Sequence, residues 1–174
     1  MNVIFLDIDG PLLSRRMWAA VDNFALLQAP VAQRIGLLKF DPGSVGLIHR
    51  ACELAQAQLV LASNWRRTWP GDLAALKRKL EHEGLPPHLW HHNWKLPVIP
   101  AENKQSELEV WLNENGPVAK AVFIDDEALT CPSPVVQITV SLDDGFGMQA
   151  YRDTISYFGV SDPLDTGARV QRAR

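Results

Sequence analysis

Three short runs of apolar, strand-forming residues punctuate the chain: Val3-Ile4-Phe5-Leu6, Leu59-Val60-Leu61-Ala62 and Ala121-Val122-Phe123-Ile124. Each is continuous rather than alternating, which is the pattern of a strand covered on both faces, as in a parallel sheet. Val135–Val140 reads as a fourth strand. Between these runs the apolar residues recur at helical spacing. Val45, Ile48, Cys52 and Ala55 follow an Asp41-Pro42 start; Leu73, Leu76 and Leu80 lie between Pro70 and Gly84. Leu108, Trp111 and Leu112 precede Gly116, and Met148, Tyr151, Ile155 and Phe158 end at Gly159. Proline near a helix start and glycine at its stop fit the chemistry of helix ends. Residues 85–101 are proline-rich and read as loop, with a short strand expected at Pro97–Ile99.

Strands alternating with helices predict an α/β fold, a three-layer Rossmann-like parallel sheet flanked by helices. Residues 11–41 keep no clean period and contain Trp18, Phe24, Leu26 and Pro30. They read as a small insertion of two short helices or a loop, packed over something as a lid. The expected organisation is one domain over residues 1–160 and a polar tail over 161–174, with Arg169, Arg172 and Arg174 solvated. In open α/β sheets ligands bind beyond the carboxyl ends of the strands. Three strands here end in polar residues at that side: Asp7 and Asp9, Ser63, and Asp125 with Asp126.

Composition narrows the possibilities. The 174 residues are 47% hydrophobic and 21% charged, enough to bury a core without a disulfide or structural metal, since a domain of this size buries roughly 70% of its unfolded surface. The net charge of −3 argues against general duplex DNA binding, which needs a basic excess. Cys52 and Cys131 form no CxxC pair and read as reduced thiols. No apolar run approaches the ~20 residues of a membrane span. Met1–Leu6 lacks the positive start of a signal peptide, so a cytoplasmic protein is expected. Nothing in the composition sets an oligomeric state.

Asp7, Asp9, Asp125 and Asp126 would converge if their strands are neighbours. Close like charges repel by several kcal/mol, and oxygen-only ligands suit Mg²⁺. Mg²⁺ held by acids is a usual partner of phosphate. Phosphoryl transfer then needs a nucleophile, a proton donor and cations around the phosphate. Asp7 can be the nucleophile, forming an aspartyl-phosphate; Asp9 can act as acid and then base. Gly10 allows a tight turn that aims backbone N–H groups at phosphate. Ser63 offers a hydroxyl and Lys104 a positive charge. Asp125 completes the metal set, and Asp126 either joins it or orients a water.

These residues resemble the haloacid dehalogenase-like (HAD) phosphatases. Asp7-Ile8-Asp9-Gly10-Pro11-Leu12 is similar to the DxDG motif of that superfamily, Ser63 to the Ser or Thr that ends its second strand, Lys104 to its lysine, and Asp125-Asp126 to its paired acids. The order and spacing match over residues 3 to 158. A narrower resemblance joins Ser63-Asn64-Trp65-Arg66, Lys104 with Glu107, Leu108, Trp111 and Leu112, and Gly145-Phe146-Gly147 to a small-cap branch found in RNA-repair and phage-like proteins. The resemblance implies a central first strand and a Mg²⁺-dependent phosphatase. Asp7, Asp125, Asp126 and the Asp9 backbone carbonyl would serve the metal. The substrate would be a nucleotide or a nucleic-acid end phosphate. Pro11 departs from the usual Thr or Val and removes a backbone N–H, which leaves a catalytically weak binding or regulatory module as the alternative.

Other residues carry weaker signals. Gly10, Asn64 and Arg66 are candidates for substrate contact, with Arg67 behind Arg66. Lys95 rivals Lys104. His88, His91 and His92 invite a zinc reading, but no cysteine lies near and no helical i, i+4 pair exists, so a polar loop with aromatic anchors is the default. The tryptophans read first as packing; Trp65, Trp69 and Trp94 are those that could line a substrate mouth.

Overall fold

The run after Met1 forms β1 (Asn2–Leu6), and its side chains divide between two cores. Ile4 and Leu6 join one, Val3 and Phe5 the other. Alternation across a strand covered on both sides explains why the run is apolar throughout. The structure, a computed structural model, describes residues 1–164.

Beyond β1 come three single-turn helices: α1 (Arg15–Trp18), α2 (Val21–Phe24) and α3 (Val31–Arg34). Buried Asn23 ties them together. Its amide donates to the carbonyls of Met17 at 3.1 Å and Lys39 at 2.8 Å, and its Oδ1 accepts from Lys39 N at 2.7 Å. Three backbone groups thus find a partner in one side chain, which holds a segment too short for its own core.

The next helix, α4 (Pro42–Ala55), starts with Pro42 at its first turn, and Asp41 Oδ1 accepts from Gly43 N at 2.8 Å. Strand β2 (Ala57–Leu61) follows, then the single turn α5 (Trp65–Thr68) and α6 (Leu73–His82). The expected helix start at Pro70 lies three residues too early. Gly71 has φ +98°, which turns the chain, and Asp72 caps α6 through Ala74 N at 2.9 Å. After a 3₁₀ turn (Pro87–Leu89) comes β3 (Trp90–Lys95). The strand expected at Pro97–Ile99 is not formed; β3 precedes it. An edge strand is covered unevenly, so Trp-His-His-Asn-Trp-Lys shows no continuous apolar run. The chain then forms α7 (Lys104–Glu114), β4 (Lys120–Asp125), β5 (Val135–Thr139) and α8 (Met148–Phe158).

All five strands are parallel, in the order β3-β2-β1-β4-β5. Val45 and Ile48 of α4, Leu76 and Leu80 of α6, and Tyr151, Ile155 and Phe158 of α8 cover one face; Leu108 and Trp111 of α7 cover the other. The result is the three-layer α/β architecture expected. Strand register decides where the polar residues at the carboxyl ends emerge. Leu6 pairs with Leu61 on one side and Ile124 on the other, so β1, β2 and β4 end level.

The start of the tail is tethered. Asp162 is buried and accepts from the Arg50 guanidinium and the Tyr151 hydroxyl; hydrogen bonding to Arg50 holds its carboxyl far below the usual range. Arg169, Arg172 and Arg174 lie outside the described residues. Among the described residues, no helix is long and apolar enough to cross a membrane.

Candidate active site

Because β1 and β4 end level, Asp7 and Asp125 emerge side by side. Asp7 N donates to Ile124 O at 3.0 Å and Ala62 N to Leu6 O at 2.8 Å, so the sheet hydrogen bonding extends one residue past the strands and fixes the backbone where the acids begin. Ile8 N donates back to Asp7 Oδ1 at 2.7 Å, leaving Oδ2 for other partners. Lys104, the first residue of α7, reaches across to Asp7 Oδ2 at 2.6 Å and Asp125 Oδ2 at 2.7 Å. Among the described residues it is Lys104, not Lys95, that bonds to these acids; Lys95 ends β3 opposite Leu61.

The electrostatics follow from burial and crowding. Asp125 is fully buried. Burial and the neighbouring Asp7 push its carboxyl up to about 6 against the pull of Lys104. Asp9 is also raised to about 6, by burial first and Asp7 second, although the Trp65 indole works against the shift. Asp126 is raised as well, chiefly by burial. Burial opposes charge on Lys104, but Asp7 and Asp125 together outweigh it and hold the ammonium above its ordinary value. A single cation therefore leaves the cluster short of positive charge.

Asp7, Asp125 and Asp126 each offer an oxygen within 4.8 Å of the others. They are oxygen donors without His or Cys, the donor set of a hard divalent ion such as Mg²⁺. The backbone makes room for the Asp126 carboxylate: Gly10 sits at φ +80°, and a Cβ there would collide with it. These residues fit a divalent ion.

The turn that carries Asp9 and Gly10 is braced from both ends of the chain. Gly10 N donates to Leu13 O at 3.2 Å, and Leu12 N and Leu13 N donate to Ile8 O at 3.0 and 2.9 Å. Phe146 N donates to Pro11 O at 3.0 Å. This set of bonds closes without an N–H at position 11. Gly145, at φ +80°, approaches so closely that a Cβ would lie 3.1 Å from Pro11 O, which gives the Gly145-Phe146-Gly147 stretch a physical reason for its glycine.

Ser63 lies two residues past β2, fully buried, and its Oγ accepts from Trp65 N at 3.2 Å. Trp65 then turns its indole N–H toward Asp9 Oδ2 at 2.9 Å. Asn64, between them, is exposed.

Arg66 departs from expectation. Its side chain is fully buried, with bonds to the carbonyls of Ser63, Leu96, Pro97 and Ala62 and to Glu107 Oε2 at 2.8 Å. Those five bonds match the five N–H donors of a guanidinium, so none remains for a substrate. Glu107 also accepts from Arg67 and from Ile99 N at 3.0 Å. Together Arg66 and Glu107 clamp the segment after β2 to α7, which fixes Ser63 relative to Lys104.

The three histidines do not form one cluster. His91 and His92 lie ring to ring, 4.0 Å between centroids, and His91 packs against the Trp111 ring. His88 turns away to Glu53 Oε1 at 2.9 Å, where His49 also offers a ring nitrogen within 4.8 Å. Of the tryptophans, Trp65 stands at the acids, and Trp69 stacks on it with ring centroids 6.1 Å apart. Trp94 lies against Trp90 and Lys77 instead.

A parallel sheet with its first strand central, acids ending that strand and its neighbour, and a lysine at a helix start between them defines a haloacid dehalogenase-like domain. The family described as HAD domain in Swiss Army Knife RNA repair proteins matches residues 3–151, and the chain belongs to it. No curated protein and no solved structure matches the chain.

Proposed function

We propose that the protein is a Mg²⁺-dependent phosphomonoesterase that works through an aspartyl-phosphate, with a nucleotide or a nucleic-acid end phosphate as substrate. The observation that carries this reading is Lys104 bonded to both Asp7 and Asp125 amid acids it does not neutralise. Membership in a family of RNA repair proteins supports the choice of substrate.

In this reading Asp7 Oδ2 attacks phosphorus in line with the leaving oxygen. Asp9, whose raised pKa of about 6 keeps a share of it protonated near neutrality, donates the proton that lets the P–O bond break. The same carboxylate then takes a proton from water, which attacks the aspartyl-phosphate, frees inorganic phosphate and restores Asp7. Ser63 Oγ already accepts from Trp65 N, so its O–H is left to donate to a phosphoryl oxygen, and Lys104 offers its charge to another. Gly10 keeps the turn tight and lets the substrate approach its backbone closely. Asn64, exposed beside Ser63, is the polar side chain offered to the rest of the substrate. Asp7, Asp125 and Asp126, with the Asp9 carbonyl, would hold Mg²⁺, which supplies positive charge to the phosphate and the acids. Residues 11–41 serve as a small cap on a domain spanning 1–160.

The test is hydrolysis of a generic phosphate monoester with Mg²⁺, with EDTA, and by Asp7→Asn. Activity lost under EDTA and in the variant is expected. Turnover that persists in folded Asp7→Asn would overturn the nucleophile assignment.

A further inference from the structure

One cavity opens directly beside the proposed acid. It has a volume of about 260 Å³ and is lined by Asp9, by Trp18, Val31, Arg34, Ile35 and Leu38 of the 11–41 segment, and by Asn64, Trp65 and Thr68. Asp9 is the group that hands a proton to the leaving oxygen, if the function proposed above holds. The space beside it therefore receives the part of the substrate that leaves.

We propose that this cavity is a nucleobase site, seating the base of the terminal nucleoside whose phosphate is removed. Its size lies just below the ~300–1,000 Å³ of sites for drug-sized ligands, room for one ring system rather than a stretch of polymer. Its walls are of two kinds. Trp18, Trp65, Val31, Ile35 and Leu38 give apolar and aromatic surface, which favours a flat ring over a bare sugar. Arg34 holds its guanidinium 5.8 Å from the centre of the Trp18 ring, and with Asn64 and Thr68 it supplies donors and acceptors that an alkyl chain would leave unused. Rings that stack and polar groups at the edge are how proteins hold unpaired bases. Duplex ends would have to fray to enter.

The experiment compares short oligonucleotides bearing a 3′- or 5′-terminal phosphate, with the terminal nucleoside either intact or abasic, alongside ethyl and hexyl phosphate, all with Mg²⁺. The expected result is a kcat/KM about tenfold or more higher for the intact terminus than for the abasic one, the size of effect that one stacked base commonly gives. Trp18→Ala and, separately, Ile35→Ala should bring that ratio toward one. A free nucleoside should inhibit ethyl phosphate hydrolysis by the wild type competitively. Equal kcat/KM for intact and abasic termini, with hydrolysis intact, overturns the nucleobase site and leaves the phosphatase standing. Preference for hexyl phosphate overturns it in favour of an aliphatic leaving group. Hydrolysis of none of these substrates withdraws the phosphatase reading and this one with it.

Discussion

Glu107→Gln isolates the clamp behind the site. In the wild type the Glu107 carboxylate is fully buried and paired with Arg66, whose side chain is buried equally; Arg67 and Ile99 N share its other oxygen. Glutamine keeps the shape but removes the charge and one acceptor. The Arg66 guanidinium then stays buried among carbonyls without a counter-ion. Breaking a buried pair in this way costs about 3–5 kcal/mol, a large part of the 5–15 kcal/mol that holds a typical domain together. For a chain of this length each kcal/mol moves the Tm by about 2–4 °C, so a fall on the order of 10 °C is expected. Urea titration gives the free energy directly, and an unchanged slope with a lower midpoint would mark a true loss of stability. A loss under about 1 kcal/mol would refute the reasoning, because it would mean that the guanidinium is hydrated or satisfied by its carbonyls alone. Replacing Arg66 by Met in the Glu107→Gln background should recover part of the loss, since the uncompensated charge is then gone.

The acids and their turn give three other expectations. Trp65→Phe removes the indole donor that holds the Asp9 carboxyl down; the Asp9 pKa should rise above about 6, and the alkaline limb of kcat/KM should shift to higher pH, an unmoved limb counting against Asp9 as the acid. Asp125 binds a proton at about pH 6 in the folded state, well above the ~4 of an unfolded carboxyl, so the folded protein holds an extra proton between those values and proton binding at Asp125 competes with Mg²⁺ there. The rise in Tm on adding Mg²⁺ should therefore be larger at pH 7.5 than at pH 5, and equal rises at the two would exclude the Asp125 carboxylate as a ligand. Gly10→Ala puts a side chain where φ is +80° and where Asp126 already stands; a stability loss of about 1–3 kcal/mol and a higher Mg²⁺ concentration for half-maximal activity are expected, read by urea titration and by a Mg²⁺ titration of turnover.

What the sequence made legible were features written locally. A strand buried on both faces needs an unbroken apolar run, and an acid that abruptly ends such a run has few structural reasons to be there. That is why Asp7, Asp125 and the parallel sheet could be read. The role of Arg66 could not, because it depends on Glu107, which lies 41 positions away, and no local pattern pairs the two. In sequence the arginine looks available because its neighbours Ser63 and Asn64 are at the site. Strand β3 escapes a sequence reading for a related reason: at the sheet edge the demand for apolar side chains falls, and Trp90–Lys95 no longer carries the pattern. Asn23 is harder still. A buried asparagine that satisfies three backbone groups of the 11–41 segment looks in sequence like any loop residue. Pro11 shows the reverse, since a residue that breaks a family pattern proves compatible with a turn whose bonds run through positions 10, 12, 13 and 146.

That last bond has a consequence during synthesis. Phe146 N reaches back to Pro11 O, so the loop bearing the first acids is held by a residue synthesised long after it. A ribosome-bound chain that has exposed only the first hundred residues carries Asp7 and Asp9 but has neither the lysine that pairs with them nor the late strut. Asp7 and the turn after it thus gain these partners only once residues 104 and 146 have been added.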